Sequence, residues 1–422
     1  MDKNTSSATP EVKAESYADI KKIIRENKER KRKREAKRMR KTIIIPSAII
    51  TGIVVCYLLV AFSNIPFISY WRGIWIETAM TTKSHQWLAT ALFPESVIRD
   101  VMEGFTTNSG VVGGADGLKD NSPETSPETT EPAVPENPDP LNQQNLVVGG
   151  KDYAGNTVLV NDIEQGIVIS EIIGNGYRGQ ILFVDDPSRV FIGHTIYKES
   201  TGMRILDMMD EYGAIAGTNA SGFYDSEGEG LGGSVVGISA SNGEFWGEYD
   251  ASFASMVLTT DDKLVVGNIG DWGQYNIRDG MQFYPVLIAD GVKQVKGSGG
   301  YGLQPRTAVG QRADGAICFL VIDGRNPTWS IGCTVGDLAD ILESYDIINA
   351  ACCDGGASCC IAYDGKLTTK NCSLNPTIGR LLPNAFLVRS KTAESNDETT
   401  EETTPETTPE TTPQTTPGTT LP

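Results

Sequence analysis

Histidine is almost absent from this sequence, and so are the motifs of several common enzyme classes. Only His85 and His194 occur among 422 residues, and both are distant in sequence from the clustered cysteines. No G-x-S-x-G, G-x-x-x-x-G-K-[ST] or H-E-x-x-H pattern is present. These absences argue against a nucleophile-elbow serine hydrolase, a P-loop nucleotide site and a zinc protease. The sequence therefore predicts no metal and no cofactor.

Cysteine is scarce over most of the chain and concentrated near its C-terminal end. The eight cysteines are Cys56, Cys318, Cys333, Cys352, Cys353, Cys359, Cys360 and Cys372. Adjacent cysteines do not match the C-x₂₋₄-C spacing of zinc sites. Outside the cytoplasm the cluster from Cys352 to Cys372 would permit two or three disulfides. Buried free thiols and a redox site based on a reactive thiolate are the alternatives.

The N-terminal region combines a basic run with the one long uncharged segment. Residues 21–41 hold thirteen Lys or Arg against three Glu, although the chain has a net charge of −18. Residues 42–63 carry no charge, and about twenty apolar residues suffice to cross a bilayer as a helix. Basic residues before such a span predict a cytoplasmic N-terminus. We therefore predict a single-pass membrane protein whose segment 1–41 contacts anionic lipid and binds no nucleic acid.

Composition divides the remainder of the chain. Residues 64–105 contain tryptophans suited to a membrane interface and are interpreted as a juxtamembrane amphipathic segment. Residues 106–145 and 391–422 are rich in Pro, Thr and Glu and are predicted to be disordered, because they offer little apolar surface to bury. Residues 146–390 are left as one extracellular globular domain.

This domain shows alternating strand-like runs and two helix-strand-turn patterns. Thr334 and Asp337 form an N-cap pair, and the helix that follows leads into the run DIINAAC and the turn at Asp354. Residues 201–224 repeat this order and place Asn219 opposite Cys352. The recurrence indicates either an internal duplication, with Asn219 and Asp354 facing each other across a cleft, or ordinary α/β architecture. The fold predicted is α+β with a mixed sheet, preceded by a single transmembrane helix.

Charged side chains follow two of the predicted strands. In VIDGR, Asp323 and Arg325 emerge where a strand meets a loop, and Arg306 begins the run RTAVG. If these runs pair as a hairpin, two guanidinium groups converge, and phosphate is the ligand that matches them. An Asp-Gly turn with an exposed arginine is the alternative.

The segment CDGGAS places Asp354 and Ser358 around two glycines. The glycines permit positive φ and a close approach of the backbone to a ligand, so these side chains could bond sugar hydroxyls or position water. A tight turn stabilised by its own aspartate is the alternative. The acidic loop 224–230 lacks the closing glutamate of a calcium loop and is interpreted as a solvated loop.

The ordered motifs TNASGFYD, RTAVG, VIDGR, DGGAS and RLLPNAFLV resemble the phosphodiester glycosidase family over about 190 residues. That family includes the enzyme that uncovers mannose 6-phosphate and bacterial proteins associated with exopolysaccharide. The resemblance implies hydrolysis of a sugar 1-phosphodiester at its anomeric carbon in a cell-surface or exopolysaccharide glycan. An inactive glycan-binding or envelope-scaffolding module on the same fold is the alternative.

The resemblance also implies a set of site residues. The catalytic candidates are Asp323 and Asp354. The substrate-binding candidates are Asn219, Arg306, Thr307, Arg325, Gly355, Gly356 and Ser358. The sequence departs from the family at Cys352, where an asparagine is usual, and at Cys359, where Thr or Ser is common.

Overall fold

The structure is a computed structural model that describes residues 17–82, 85–103, 110–118, 139, 141–224 and 230–391. The chain divides into two compact units, Met1–Gly73 with Leu92–Val97 and Ile74–Ala91 with Ile98–Pro422. The predicted tail beyond residue 391, residues 119–138 of the predicted spacer, and the acidic residues 225–229 lie outside the described residues.

The N-terminal region is helical. Helix α1 (Tyr17–Met39) is followed by a π-helical turn (Arg40–Ile44) and helix α2 (Ile45–Phe62). The apolar side chains of α2 are exposed apart from Ala61. Among the described residues the stretch Asp19–Phe62 is the one long and apolar enough to cross a membrane, a criterion that a signal sequence also meets. Helices α3 (Pro66–Met80), α4 (Trp87–Thr90) and α5 (Glu95–Glu103) follow.

The second unit consists mainly of β-strands. In chain order they are β1 Val112–Gly113, β2 Thr157–Asp162, β3 Ile167–Ile173, β4 Arg178–Val184, β5 Val190–His194, β6 Ala214–Asn219, β7 Ile238–Ser241, β8 Glu244–Gly247, β9 Ala254–Thr259, β10 Leu264–Gly267, β11 Ile277–Phe283, β12 Val286–Ala289, β13 Val292–Lys293, β14 Arg306–Arg312, β15 Ile317–Ile322, β16 Ile347–Cys352, β17 Ile361–Tyr363, β18 Lys366–Leu367 and β19 Asn384–Arg389. Two further helices are α6 (Ile205–Tyr212) and α7 (Val335–Glu343).

The strands form three sheets. The eight-stranded sheet has the order β13-β12-β16-β14-β15-β4-β3-β2, the five-stranded sheet β18-β17-β6-β19-β5, and the six-stranded sheet β1-β10-β9-β11-β7-β8. Every strand pair in the described part of the chain is antiparallel, so the prediction of a mixed sheet is wrong in this respect. Short loops such as the one between β14 and β15 join antiparallel neighbours directly, whereas a parallel pair requires a long crossover.

Both predicted helix-strand units are present. Helix α6 precedes β6 in the five-stranded sheet, and α7, with its capping box at Thr334 and Asp337, precedes β16 in the eight-stranded sheet. The apolar stripe of each helix is buried, as its spacing predicted. An internal duplication is not confirmed by this arrangement, because helix-strand units recur in many α+β folds.

Three of the hydrophobic clusters formed by the described residues bear on the position of the site. A central core joins residues from all three sheets, including Leu182, Met256 and Phe386. The outer face of the eight-stranded sheet packs against α7, and the outer face of the five-stranded sheet packs against α6. The turns that follow β6 and β16 therefore belong to two different sheets.

The cysteine cluster is part of these cores. Successive residues of a strand point to opposite faces, so Cys352 lies in the core beneath α7 while Cys353 lies in the central core. Cys359 and Cys360 are divided in the same way between the central core and the core beneath α6. All eight cysteines are free, so the interpretation of the cluster as two or three disulfides is wrong and the alternative of buried thiols is confirmed.

A thiol titration is expected to give eight free thiols per chain in denaturant, whether or not reductant is added, because no cysteine is paired. In the native protein Cys352 and Cys360 should be labelled slowly, since burial raises the pKa of both thiols to about 12 and only the thiolate reacts. Rapid labelling of either of these two cysteines near neutral pH, or a thiol count that rises with reductant, would contradict this account.

Three described stretches that the sequence assigned to the spacer and the juxtamembrane segment have defined structure. Residues Val112 and Gly113, inside the predicted spacer, pair with β10, and Gln143–Asn145 form a 3₁₀ turn. Apolar residues next to these two stretches pack against the six-stranded sheet or in the core beneath α7. Residues Ile74–Ala91, inside the predicted juxtamembrane segment, belong to the same compact unit as the sheets.

Candidate functional site

The turn after β16 is fixed by the end of β6. The Asp354 amide donates to the Ala220 carbonyl at 2.9 Å, and the Asp354 carbonyl accepts from Asn219 Nδ2 at 2.7 Å. The two turns that the sequence placed opposite each other are therefore in direct contact. Because β6 and β16 belong to different sheets, Asp354 lies where two sheets meet.

Asn219 is a buried connector at this junction. Its Oδ1 accepts from the Thr307 hydroxyl at 2.8 Å and from the Cys360 amide at 3.2 Å, while its Nδ2 is engaged by Asp354. Asn219 is 1% exposed. The side-chain amide of Asn219 thus forms hydrogen bonds with three different segments of the chain and helps to hold the Asp354 turn in place.

A cleft of about 1460 Å³ opens in front of this turn. Four arginines line it, namely Arg204, Arg306, Arg325 and Arg380, together with Asp354, Thr307, Gly355 and Gly356. Asp354 is the one carboxylate among the described residues that line the cleft. Since guanidinium groups are always charged at neutral pH, this surface attracts anions.

Arg306 and Arg325 are held differently. The Arg306 guanidinium donates to the carbonyls of Tyr301, Gly302 and Cys333 at 2.8 to 3.2 Å, which fixes its position. Arg325 is exposed and donates to Gln304 Oε1 at 3.1 Å. The hairpin predicted from RTAVG and VIDGR is confirmed, because Arg306 on β14 pairs with Ile322 on β15.

The glycines of the turn allow the backbone to lie close to Arg325. Gly356 has φ +65°, a conformation that side chains disfavour, and a Cβ there would lie 3.0 Å from Arg325 Nη2. A Cβ at Gly355 would lie 3.0 Å from the Pro305 carbonyl oxygen. A larger residue at Gly356 would therefore press on Arg325, and one at Gly355 would press on the Pro305 backbone.

Asp323 does not belong to the described cleft. It is 5% exposed, and its two oxygens accept hydrogen bonds from Trp329 Nε1 at 2.8 Å and the Lys370 amide at 3.1 Å. The Trp329 ring lies between Arg178 and Lys370, in cation-π contact with both. Asp323 therefore organises the loop that carries Trp329, and the structure does not bring it together with Asp354.

The environment of Asp323 makes a pH-dependent contribution to stability. Burial raises the pKa of Asp323 to about 6, although Trp329 and Lys370 partly offset this. The folded protein holds the proton of the Asp323 carboxyl more tightly than the unfolded chain does. The protonated carboxyl therefore contributes to folding stability below about pH 4, and this stabilisation is lost as the pH rises through 6. One pKa unit is worth about 1.4 kcal/mol, so at neutral pH the cost is on the order of 3 kcal/mol.

We therefore expect an Asp323→Asn variant to be less stable than the wild type. The difference in stability between the two proteins should be larger at pH 4 than at pH 7. The amide also faces two donors with one oxygen, which adds a pH-independent loss. Thermal unfolding followed by tryptophan fluorescence between pH 4 and pH 7 measures the difference. Parallel pH profiles of the two proteins would contradict the raised pKa.

Two further residues singled out in the sequence, Ser358 and Cys352, are buried at the cleft, and Cys352 is part of its lining. Ser358 is 1% exposed, and its hydroxyl has no hydrogen-bond partner among the described residues. Cys352, where the family has an amide, is 3% exposed, and burial raises the pKa of its thiol to about 12. Both side chains are therefore better placed to support the turn than to contact a large substrate.

Sequence reasoning missed several cleft residues, above all Arg204 and Arg380. Arg380 begins the motif RLLPNAFLV, so that motif held a usable signal. Arg204 precedes α6, and no motif marked it. The aromatic residues Tyr284 and Tyr301, with ring centroids 5.7 Å apart, also line the cleft.

Comparison with known proteins gives one family match. Residues 212–389 match the model of the phosphodiester glycosidase family. This range includes every candidate site residue, from Asn219 to Ser358. The resemblance found in the sequence is thereby confirmed.

One curated relative and two solved structures are similar in part. The SPbeta prophage-derived uncharacterized protein YomE of Bacillus subtilis strain 168 is 28% identical over 200 residues, which cover 43% of this chain and 28% of that protein. The chain thus spans little more than a quarter of this relative's length.

Both solved structures are more distant in sequence. The catalytic domain of zebrafish N-acetylglucosamine-1-phosphodiester alpha-N-acetylglucosaminidase, auto-inhibited by its pro-peptide, has a TM-score of 0.43 and 18% identity over 53% of this chain and 82% of that one. A putative exported protein from Burkholderia pseudomallei K96243 has a TM-score of 0.38 and 15% identity over 50% of this chain and 74% of that one.

Proposed function

Because residues 212–389 form a phosphodiester glycosidase domain, we propose that this chain hydrolyses a sugar 1-phosphodiester by breaking the bond between the anomeric carbon and the phosphate oxygen. The observation that carries this proposal is the cleft in which four arginines surround a turn bearing one carboxylate. Water supplies the hydroxyl of the released sugar, and the phosphate leaves as a phosphomonoester.

The arginines suit the leaving group. A phosphodiester oxygen carries its negative charge far more readily than an alcohol does, so stabilising that charge matters more than protonating it. Guanidinium groups bond phosphate oxygens in bidentate fashion. Arg204 lines the same cleft and adds a further guanidinium to it.

Asp354 is the proposed catalytic carboxylate. The developing oxocarbenium ion and the attacking water both call for a carboxylate near the anomeric carbon. With Asp323 turned to Trp329 and Lys370, Asp354 is assigned as the base that activates water. A single displacement by water inverts the anomeric configuration, so NMR of the first product formed should show the opposite anomer. Retention would assign Asp354 as a nucleophile instead.

Asn219 and Thr307 are proposed as positioning residues, and Asp323 as a structural residue that organises the loop carrying Trp329. Asn219 and Thr307 hold the Asp354 turn through their side-chain hydrogen bonds. Gly355 and Gly356 provide the close backbone approach, and Ser358 closes the turn from behind. The sequence predicted that Asp323 and Asp354 are both catalytic carboxylates. In this proposal Asp354 alone keeps that role.

The proposed substrate is a phosphorylated glycan outside the cell. This rests on the uncharged segment 42–63 and the basic residues 21–41 before it, which would anchor the chain with a cytoplasmic N-terminus and place segment 1–41 on anionic lipid. In intact cells, added protease should then cleave the domain while sparing segment 1–41. Protection of the domain until the membrane is opened would contradict this orientation.

A glycan-binding module without activity is the second candidate, and Cys352 is the observation that favours it. A thiol cannot replace the hydrogen bonds of the amide usual at this position. The assay that separates the two candidates is release of free sugar from a panel of sugar 1-phosphodiesters by the full-length chain. Binding without release would support the module, and release would exclude it.

A further inference from the structure

The end of helix α3 reaches the loop that holds Arg306. Both oxygens of Glu77 accept from the Ser298 hydroxyl at 2.9 and 3.0 Å, and Oε2 also accepts from the Gly302 amide at 3.3 Å. Next to it, Thr78 Oγ1 accepts from the Leu303 amide at 3.0 Å. These residues are more than 200 positions apart in the sequence, so the contacts are purely tertiary.

Glu77 is fully buried at 0% exposed. A buried carboxylate is costly unless it is hydrogen bonded and close to a positive charge. Here burial raises the pKa of Glu77, while Ser298, Gly302 and the Arg306 charge oppose that rise. The carboxylate is therefore tied to the surroundings of Arg306.

The loop 298–303 lies between Glu77 and Arg306. Its Gly302 amide donates to Glu77, and its Gly302 and Tyr301 carbonyls accept from Arg306 Nη2 at 2.9 and 2.8 Å. Gly302 has φ +60°, and a Cβ there would lie 2.4 Å from backbone atoms of Thr78. Glycine at this position is what lets the loop approach the helix.

The residues after Glu77 continue into the cleft. Thr81, Thr82 and His85 line it on the same unit that carries the arginines. One short segment thus contacts the loop behind Arg306 and also forms a wall of the cleft.

We propose that residues 77–82 are a working part of the anion-binding site, in which Glu77 and Thr78 position Arg306 through the loop 298–303. This inference rests on the proposed function, because it treats Arg306 as a phosphate ligand. The functional unit then begins in α3 and not near residue 146.

Inorganic phosphate is the probe, because its binding can be measured without turnover. The full-length protein in detergent is titrated with phosphate by calorimetry, and KM and kcat are measured where a sugar 1-phosphodiester is cleaved. Thr78→Val keeps the shape and charge of the site but removes the acceptor of the Leu303 amide. We expect the Kd for phosphate and the KM to rise about tenfold, which equals about 1.4 kcal/mol, with kcat changed less.

Gly302→Ala tests the same contact by steric pressure, and Gly291→Ala is its matched control. Both glycines have positive φ, of +60° and +74°, but a Cβ at Gly291 would meet nothing within 4 Å. Both variants therefore carry the same backbone strain, whereas only Gly302→Ala displaces α3. Weaker phosphate binding is expected for Gly302→Ala alone.

The Glu77→Gln variant distinguishes the effect of Glu77 on the position of Arg306 from the effect of its negative charge. Removing a negative charge near Arg306 would by itself strengthen phosphate binding, whereas loosening the loop weakens it. If Glu77 positions Arg306, the Kd of the Glu77→Gln variant for phosphate should be higher than that of the wild type. A lower Kd would overturn the inference. Unchanged phosphate binding in both Thr78→Val and Gly302→Ala would also overturn the inference. If the wild type binds no phosphate, it is the proposed function that fails.

Discussion

Replacing Asp354 by asparagine is expected to lower kcat by about 10²–10⁴-fold, the usual contribution of a positioned acid or base. The Asp354 main chain is held by Ala220 and Asn219, and neither bond involves its carboxylate. The turn should therefore keep its shape, because Asn removes a charge and a proton acceptor without changing size. The melting temperature should stay close to that of the wild type, and phosphate binding should be retained or strengthened.

Asp323→Asn is the matched control for that experiment. It makes the same chemical change at a carboxylate that lies behind the cleft, bonded to Trp329 and Lys370. We expect it to reduce stability while the folded fraction keeps most of its kcat. If Asp323→Asn abolished turnover with intact stability while Asp354→Asn did not, the assignment of the catalytic carboxylate would be reversed.

Replacing Arg325 by alanine is expected to reduce kcat by about 10²–10³-fold, the effect of removing one donor that stabilises developing charge. Arg325 is the arginine best suited to this test, because it is exposed and, among the described residues, its guanidinium donates a hydrogen bond to the Gln304 side chain alone. Arg306, in contrast, bonds three carbonyls, so its loss would disturb the loop as well.

Arg325→Lys and Arg99→Ala complete that series. Lysine keeps the charge but loses the planar fork, so it should restore only part of the activity. Arg99 is exposed on α5 and does not line the cleft, so its removal should leave kcat and KM unchanged. Equal kcat for Arg325→Ala and the wild type on a cleaved substrate would remove Arg325 from the site.

Local elements were largely predictable from this sequence. The capping box at Thr334 and the buried stripe of α7 follow from spacing alone, and the β14–β15 hairpin follows from two apolar runs around an Asp-Gly turn. Strand direction was not predictable, since apolar runs read the same in parallel and antiparallel sheets.

The composition of the cleft was less predictable, because it depends on contacts between distant segments. The motif VIDGR suggested a catalytic aspartate, yet the Asp323 carboxylate accepts from Trp329, six residues later, and does not line the cleft with Asp354. Glu77 gave no signal at all, since it lies in a segment whose tryptophans indicated a membrane interface. The turns at Asp354 and Asn219 were expected to face each other across a cleft if the fold was duplicated, whereas the structure has them in direct hydrogen-bonded contact with Asn219 buried.

The most direct test of the proposed reaction is to hydrolyse a sugar 1-phosphodiester in ¹⁸O-labelled water and measure the mass of the phosphomonoester released at once. Attack at the anomeric carbon leaves the phosphate with its original oxygens, so the wild type should yield unlabelled phosphomonoester together with free sugar, and Asp354→Asn should yield almost none of either. Label in the phosphomonoester would show attack at phosphorus and would contradict the assignment of this cleft to a glycosidase.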